Sequence, residues 1–199
     1  LELKEQVGGQ VDVVHVGTAS SDMIIRKALA IGADAAYRID AEPTDSEFCA
    51  RQIAGFAIGK GYDMVLLGKE TIDYNGSEVG PMLAGLMELP FLSHANKLEW
   101  NGTSARVQLE IEGGVEIFEL ELPFVLSASK GLAEQRIPNM KGIMDAKKKP
   151  LEVLPAQPVD SSVEWLRFDL PPAKTQVEMI APDDTDRLVS VLKDELKLI

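Results

Sequence analysis

The spacing of apolar and polar residues in the first half of the chain predicts strands that alternate with helices. Short apolar runs predict three buried strands, at residues 11–16, 36–39 and 64–67. Apolar residues at helical spacing predict three helices, at residues 21–31, 47–58 and 81–87. This order is typical of an α/β fold built on a doubly wound, mostly parallel sheet with right-handed crossovers.

The pattern changes in the second half, where apolar and polar residues alternate one by one. Three such segments occupy residues 97–100, 104–111 and 115–122. The pairs Asn101-Gly102 and Gly113-Gly114 separate them, and both favour tight hairpin turns. We therefore expect an inserted antiparallel ribbon, followed by a strand at 123–127 and a helix at 140–146.

Prolines interrupt the chain from residue 150 onward, and only residues 185–196 have the spacing of an amphipathic helix. A segment of this composition would expose apolar side chains, and exposed apolar patches usually mark an interface. We predict a nucleotide-binding domain at residues 1–150 and a C-terminal arm at residues 151–199 that packs on a partner subunit. The alternative is an arm that folds back on its own domain.

Composition argues against several classes of partner. The 199 residues carry a formal net charge of −12 at pH 7, whereas nucleic-acid binders concentrate Lys and Arg on one face. No apolar run approaches the roughly 20 residues that span a bilayer. The single cysteine, Cys49, has no disulfide partner within the chain. We expect a soluble protein of a reducing compartment, in which the basic run at residues 147–149 is a solvated face.

Side chains of catalytic type are present but show no recognisable constellation. His15 and His94 have no cysteine or carboxylate at metal-ligand spacing, and Cys49 is typical of a small buried thiol. Ser127 and Ser129 follow a strand without the Gly-x-Ser-x-Gly elbow of hydrolases. We predict no catalytic residue, no metal site and no enzyme activity.

The strand–loop–helix unit around residues 68–79 is the strongest candidate for a ligand site. Nucleotides bind at the carboxyl ends of parallel strands, and amides at a helix start can face a phosphate. Lys69 could face the phosphate and Asp73 could bind a ribose hydroxyl, although neither the Walker pattern nor Gly-x-Gly-x-x-Gly is present. The equally good alternative is that Asp73 and Ser77 only cap the helix.

Three segments resemble the beta subunit of electron transfer flavoprotein, and they follow one another in the family's order. Residues 27–34 read Lys-Ala-Leu-Ala-Ile-Gly-Ala-Asp, and residues 63–73 read Asp-Met-Val-Leu-Leu-Gly-Lys-Glu-Thr-Ile-Asp. Residues 143–150 read Ile-Met-Asp-Ala-Lys-Lys-Lys-Pro. The resemblance covers nearly the whole chain and implies a fold like that of the adenine nucleotide alpha hydrolases.

The resemblance implies a heterodimer whose alpha subunit holds a redox-active FAD, while this subunit binds AMP as a structural element. The residues that it places at the nucleotide are Val16, Gly68, Lys69, Thr71, Asp73, Asn75, Gly76, Ser77, Glu78 and Val79. An Asn-Gln-Thr triplet that is common in the family is replaced here by Ser77-Glu78-Val79. Because Glu78 would repel a phosphate, backbone amides are expected to do more of the binding.

The family also has a loop with an apolar anchor that docks on acyl-CoA dehydrogenases and related flavoproteins. The residues that correspond to this loop are Arg136, Ile137, Pro138, Asn139, Met140, Lys141, Ile143 and Met144. Met140 takes the place of the usual leucine anchor, and a flexible thioether suits a surface that fits several partners. The alternative is that Met140 packs at the start of an ordinary helix.

Family members begin with a further strand that completes the sheet, whereas this chain begins inside the helix that would follow that strand. Without it we expect an exposed sheet edge or an apolar slot at the centre of the sheet, and an incomplete nucleotide site. A fragment, residues outside the structure, or a neighbour in place of the strand would each account for this.

The sequence as a whole predicts an electron-transfer subunit that carries electrons from acyl-CoA-type dehydrogenases of fatty acid oxidation to the respiratory chain. Its compartment would be the bacterial cytoplasm or, in a eukaryote, the mitochondrial matrix. Two alternatives stay open. One is a component of a flavin-bifurcating protein with a second FAD in this subunit, and the other is a stand-alone adenine-nucleotide-binding protein.

Overall fold

The computed structural model describes residues 1–72, 75–160, 162–173 and 177–199. The chain forms two compact units, Leu1–Glu164 and Trp165–Ile199. Within the described ranges, no helix is both long enough and apolar enough to cross a membrane.

The first unit contains the α/β elements. Its helices are α1 (Glu2–Val7), α2 (Asp22–Ile31), α3 (Ser46–Ala57), α4 (Val79–Met87) and α5 (Met140–Ala146). Its strands are β1 (Asp12–Val16), β2 (Ala35–Asp40), β3 (Met64–Gly68), β4 (Phe91–Trp100), β5 (Ala105–Ile111), β6 (Gly114–Leu120), β7 (Phe124–Ala128) and β8 (Leu151–Pro155). The predicted helices and strands are therefore found, with ends that shift by a few residues and an earlier start of β4.

The strands divide between two sheets. The first is parallel and has the order β1-β2-β8, and the second has the order β3-β7-β4-β5-β6. The α/β class is confirmed, but the described strands do not form the single doubly wound sheet that the sequence predicts. Instead, β3 pairs in parallel with β7, Met64 opposite Phe124. Alternation of strands and helices indicates their order along the chain, whereas strand partners depend on contacts between distant segments.

A cavity of about 910 Å³ lies between the edge strands β1 and β3. The first residues of both strands line it, together with the aromatic residues Tyr37, Phe56 and Trp100. Tyr62, also in its wall, donates a hydrogen bond to Asp12 Oδ2 at 2.8 Å. No described strand of the chain lies between β1 and β3. The cavity is the slot at the centre of the α/β domain that the sequence predicts.

The antiparallel ribbon is confirmed, with β4 paired to β5 and β5 paired to β6. Strand β4 begins six residues before its predicted start because its first part pairs with β7, Phe91 opposite Val125. Ala95 takes part in both pairings, opposite Ala128 of β7 and Leu109 of β5, and each pairing has a register shift next to it. The alternating pattern marked only the antiparallel part, since the parallel part is covered on both sides.

Strand β8 ties the first residues of the predicted arm to the first unit. It pairs in parallel with β2, Leu151 opposite Ala36. Beyond β8, the buried Gln52 side chain donates from Nε2 to Gln157 O and accepts from Gln157 N, each at 2.8 Å. Residues 151–157 are thus bound to the α/β elements, while an arm that packs on a partner stays a prediction.

The second unit carries large apolar side chains on its surface. Leu166, Phe168 and Leu170 are 81–93% exposed, and Trp165 stacks on Phe168 with ring centroids 5.4 Å apart. The helix predicted at residues 185–196 is present as α6 (Thr185–Ser190) followed by a π-helical turn, Val191–Glu195.

Candidate functional site

The loop between β3 and α4 has a backbone conformation that favours anions. Asn75 and Ser77 have positive φ angles of 52° and 53°, which are uncommon outside glycine. Glu78, the next residue, is right-handed, with φ −95° and ψ −34°. A change of hand between successive residues turns their N–H groups toward one side, and such concavities bind anions. Asp73, the predicted ribose ligand, lies outside the described residues.

The first turn of α4 keeps backbone donors available. Its N-cap is Glu78, whose side chain makes no capping hydrogen bond in the described part of the chain. The amides of Val79 and Gly80 begin the helix, and the next residue, Pro81, has no N–H. Ser77 precedes the N-cap position that a capping side chain would occupy. Ser77 is therefore not the N-cap of α4, and the ligand interpretation of the loop stays a prediction.

Gly80 allows α4 to begin close to the strands. A Cβ at this position would lie 2.9 Å from Phe91 Cε2 and 3.0 Å from Leu67 Cδ1. A side chain at this position would therefore require a shift of the Phe91 and Leu67 side chains or of the helix start. Gly80 holds the amide-bearing turn at the carboxyl end of β3, where nucleotides bind in α/β folds.

Lys69 brings a positive charge to the same end of β3. Its Nζ lies 2.8 Å from Glu70 Oε1, and both side chains are partly exposed. A pair of this kind contributes little, so Lys69 can exchange Glu70 for a phosphate at low cost. Gly68 leaves open space beside the backbone, and Asn75 N donates to Thr71 O at 3.1 Å across the loop.

Arg38 lies at the carboxyl end of the first sheet, and the sequence reasoning did not single it out. The residue is only 4% exposed. Its Nε donates to Asp22 Oδ1 at 2.7 Å, and its Nη1 donates to Gly17 O at 2.9 Å and to the Asp40 carboxylate. Val16, the predicted adenine contact, is buried in β1 and lies opposite Ile39, the residue after Arg38 in β2. The sequence feature that could have identified Arg38 is the presence of a charged residue inside a strand of otherwise buried residues.

The two halves of the predicted nucleotide site lie on different sheets. Val16 ends a strand of the first sheet, and residues 68–79 follow a strand of the second. None of the described candidate residues lines the cavity between the sheets, which is bordered by the beginnings of β1 and β3. The grouping of these residues around one nucleotide therefore stays a prediction.

The predicted docking segment, residues 136–144, has exposed apolar side chains. Ile137 is 86% exposed and Met140 is 76% exposed, and Ile143 and Met144 are also exposed. Asn139 caps α5 by accepting a hydrogen bond from Gly142 N at 2.7 Å. Met140 is therefore at the helix start, as the alternative reading requires, but it does not pack there as a core residue.

The docking segment is held against α1 and α2. Arg136 donates to Glu5 through two parallel hydrogen bonds of 2.5 and 2.8 Å, and these bonds lower the pKa of the Glu5 carboxyl group. A Cβ at Gly142 would overlap the carbonyl oxygen of Ala30 in α2. This close approach requires glycine, so α5 has little freedom to move relative to α2.

Two basic side chains join the ends of α2 and α5. Arg26 Nη1 donates to the carbonyl oxygens of Ala146 and Lys149, at 2.7 and 2.8 Å. Lys149 Nζ donates to those of Leu29 and Ala33, at 3.0 and 2.5 Å. Both cations satisfy carbonyls at helix C-terminal ends. The prediction of a solvated face is therefore wrong for Lys149.

The residues of catalytic type have unremarkable surroundings. Burial, and then the charge of Arg38, lower the pKa of His15, which favours a neutral ring. Burial and the Asp45 carboxylate raise the pKa of Cys49, which disfavours a reactive thiolate. The described residues contain no group of three or more His, Cys, Asp or Glu side chains that could hold a metal ion.

Comparison with known proteins identifies the family. Residues 1–159 match the model of the electron transfer flavoprotein domain, which defines the class of protein. The chain is 34% identical to electron transfer flavoprotein subunit beta of Bacillus subtilis, over 100% of the chain and 83% of that relative. The same subunit of Homo sapiens is 34% identical over 93% of the chain and 75% of its own length. That of Syntrophomonas wolfei is 36% identical over 87% of the chain and 70% of its own length. The chain belongs to the electron transfer flavoprotein beta family, as the three quoted segments predict.

Proposed function

We propose that this chain is the beta subunit of a heterodimeric electron carrier. Its alpha subunit would bind FAD, and the carrier would move electrons from acyl-CoA-type dehydrogenases to the respiratory chain. The observation that carries the proposal is similarity to beta subunits along the whole chain. The compartment would be the bacterial cytoplasm or the mitochondrial matrix, and the chain itself would catalyse no reaction.

The nucleotide of this chain would be AMP, which the resemblance to the family implies and whose phosphate the donors of the loop could bind. The described residues that would hold it are Val16, Gly68, Lys69, Thr71, Asn75, Gly76, Ser77, Glu78 and Val79. The change of backbone hand at Ser77 and Glu78 and the open first turn of α4 supply the N–H donors that a phosphate needs. The exposed Glu78 carboxylate opposes a phosphate, so the backbone carries most of the binding.

The role of the chain in electron transfer is positional. Bound AMP has no redox function and would add structural support where β1 and β3 end. The docking segment would present Met140 to a dehydrogenase while α1 and α2 hold its backbone in place. The apolar side chains of the second unit, such as Phe168 and Leu170, would bind the flavin-bearing alpha subunit.

Nucleotide content of the assembled carrier tests this function. The full chain would be co-purified with its alpha subunit, and the released nucleotides would be identified by chromatography. We expect one FAD and one AMP per heterodimer. Two FAD would identify a flavin-bifurcating component instead. A monomer that binds ATP would identify a stand-alone nucleotide-binding protein, and a chain without partner or nucleotide would contradict the proposal.

A further inference from the structure

Arg38 is a buried guanidinium whose three acceptors come from three different parts of the chain. Asp40 ends β2, Asp22 begins α2, and Gly17 directly follows β1. A buried charge needs such partners, because solvent does not reach it. The fork of the guanidinium bonds several acceptors at once, whereas the ammonium of a lysine acts as a single point charge. One side chain therefore joins β2 to the end of β1 and to the start of α2.

Gly17 is held on both of its backbone polar groups. Its N–H donates to Ile39 O at 3.0 Å, and its carbonyl accepts from Arg38. A Cβ at Gly17 would lie 2.5 Å from His15 Nε2, so the His15 ring lies close to the Gly17 backbone. The chain that leaves β1 thus has a defined direction immediately after Val16.

We propose that Arg38 is a positioning residue for recognition of the adenine base. The inference rests on the proposed function, in which an adenine nucleotide lies at the end of β1. Backbone N–H and C=O groups discriminate between bases only when their direction is fixed. A mobile loop must first become ordered, and the entropy lost in this ordering weakens binding. Arg38 supplies that fixed direction at Gly17 and so presents the neighbouring Val16 backbone to the base.

The simpler reading is that Arg38 only neutralises Asp22 and Asp40. Stability alone does not separate the two readings, since loss of a buried charged partner destabilises the fold in either case. Discrimination between bases does separate them. AMP and inosine monophosphate differ at the six-position, where an amino donor is replaced by a carbonyl acceptor. A role in positioning predicts a change in this preference, and a role in charge balance does not.

The test uses the heterodimer with its alpha subunit and with AMP removed. Dissociation constants for AMP and inosine monophosphate would be measured by calorimetry for wild type, Arg38→Met and Arg38→Lys. Arg51→Met is the control, because the exposed Arg51 pairs with Glu47 on α3 and the substitution removes the same charge. We expect Arg38→Met to weaken AMP at least tenfold and to reduce the preference for AMP at least fivefold. FAD content should stay unchanged, and Arg51→Met should match wild type within twofold.

Arg38→Lys keeps the test decisive if Arg38→Met does not fold. Lysine retains the positive charge but not the fork, so we expect a smaller loss of AMP preference in the same direction. Unchanged affinity and preference in a folded Arg38 variant would overturn the positioning role while leaving the nucleotide site intact. A wild-type heterodimer that binds no AMP would overturn the proposed nucleotide function and this inference together.

Discussion

Gly142 is the residue at which one added methyl group would most disturb the docking segment. Its position faces the Ala30 carbonyl oxygen, so α5 must shift in Gly142→Ala. Overpacking of this kind costs about 1–3 kcal/mol. Gly85→Ala in α4 is the matched control, because nothing lies within 4 Å of a Cβ there and alanine favours helix by up to about 1 kcal/mol. Urea unfolding should show a loss of stability for Gly142→Ala and none for Gly85→Ala; equal effects would contradict the close approach.

Met140 and Met23 offer a second matched pair, since they are 76% and 73% exposed. If Met140 is an interface anchor, Met140→Ala should lower kcat/KM for electron transfer from a dehydrogenase roughly tenfold, which corresponds to about 1.4 kcal/mol. Met23→Ala on α2 should have no effect. Steady-state assays with an acyl-CoA dehydrogenase as electron donor would measure this. A loss of the same size in both variants would argue against a specific anchor.

Single-residue roles were predictable only where the role is local. The Asn101-Gly102 turn is such a case, since it is present between β4 and β5. An exposed Met140 was expected only from the resemblance to the family, because the residues alone favoured packing at a helix start. Arg38, Gln52 and Lys149 escaped prediction because their partners are distant in sequence: Gln52 and Gln157 are 105 positions apart. The sequence of a helix does not indicate that the side-chain amide of one of its glutamines will bond to the backbone of a distant segment, as a neighbouring strand would.

At the scale of elements, Gln52 extends the parallel pairing of β8 by binding both backbone groups of Gln157. Gln52→Ala would remove both hydrogen bonds to Gln157, at a cost of about 0.5–1.5 kcal/mol for each bond. We expect faster amide exchange at Gln157 and proteolytic cleavage after residue 155. Hydrogen exchange with mass spectrometry would detect the first effect and limited proteolysis the second, and an unchanged exchange rate would show that β8 alone holds this segment. Gln108→Ala, in the ribbon, serves as the control because its amide donates to a side chain, that of Asn96, and not to a backbone group in the described part of the chain.

The helices and the ribbon were the most predictable elements. Apolar spacing along α2 and α3, and the two glycine-bearing turns of the ribbon, reflect contacts within a few residues. The first part of β4 was missed because it lies beside β7 in parallel. A strand covered on both sides does not alternate, and so it does not stand out from a buried loop.

At the scale of the whole molecule, the exposed apolar side chains of the second unit predict how the subunit finds its partner. Leu166, Phe168 and Leu170 would be replaced together by serine, and assembly with the alpha subunit would be measured by co-purification and sedimentation. We expect heterodimer formation to fall at least tenfold, because central apolar residues contribute most of the binding energy of an interface. Val115→Ser with Ile117→Ser, on the exposed edge strand β6, is the control. Unchanged assembly of the triple variant would contradict the partner-binding arm.

The sequence alone determined the α/β class, the order of helices and strands, the inserted ribbon and the family. These follow from the spacing of apolar residues and from short characteristic segments, both of which depend on residues that are close in sequence. Only the tertiary structure decided which strands pair, with the order β1-β2-β8 in one sheet and β3-β7-β4-β5-β6 in the other. It alone placed Arg38 against three separate acceptors. The physical reason is that strand pairing and the partners of a buried charge depend on contacts between segments that are distant in sequence. The pattern of apolar and polar residues along the chain does not indicate which of these segments are in contact.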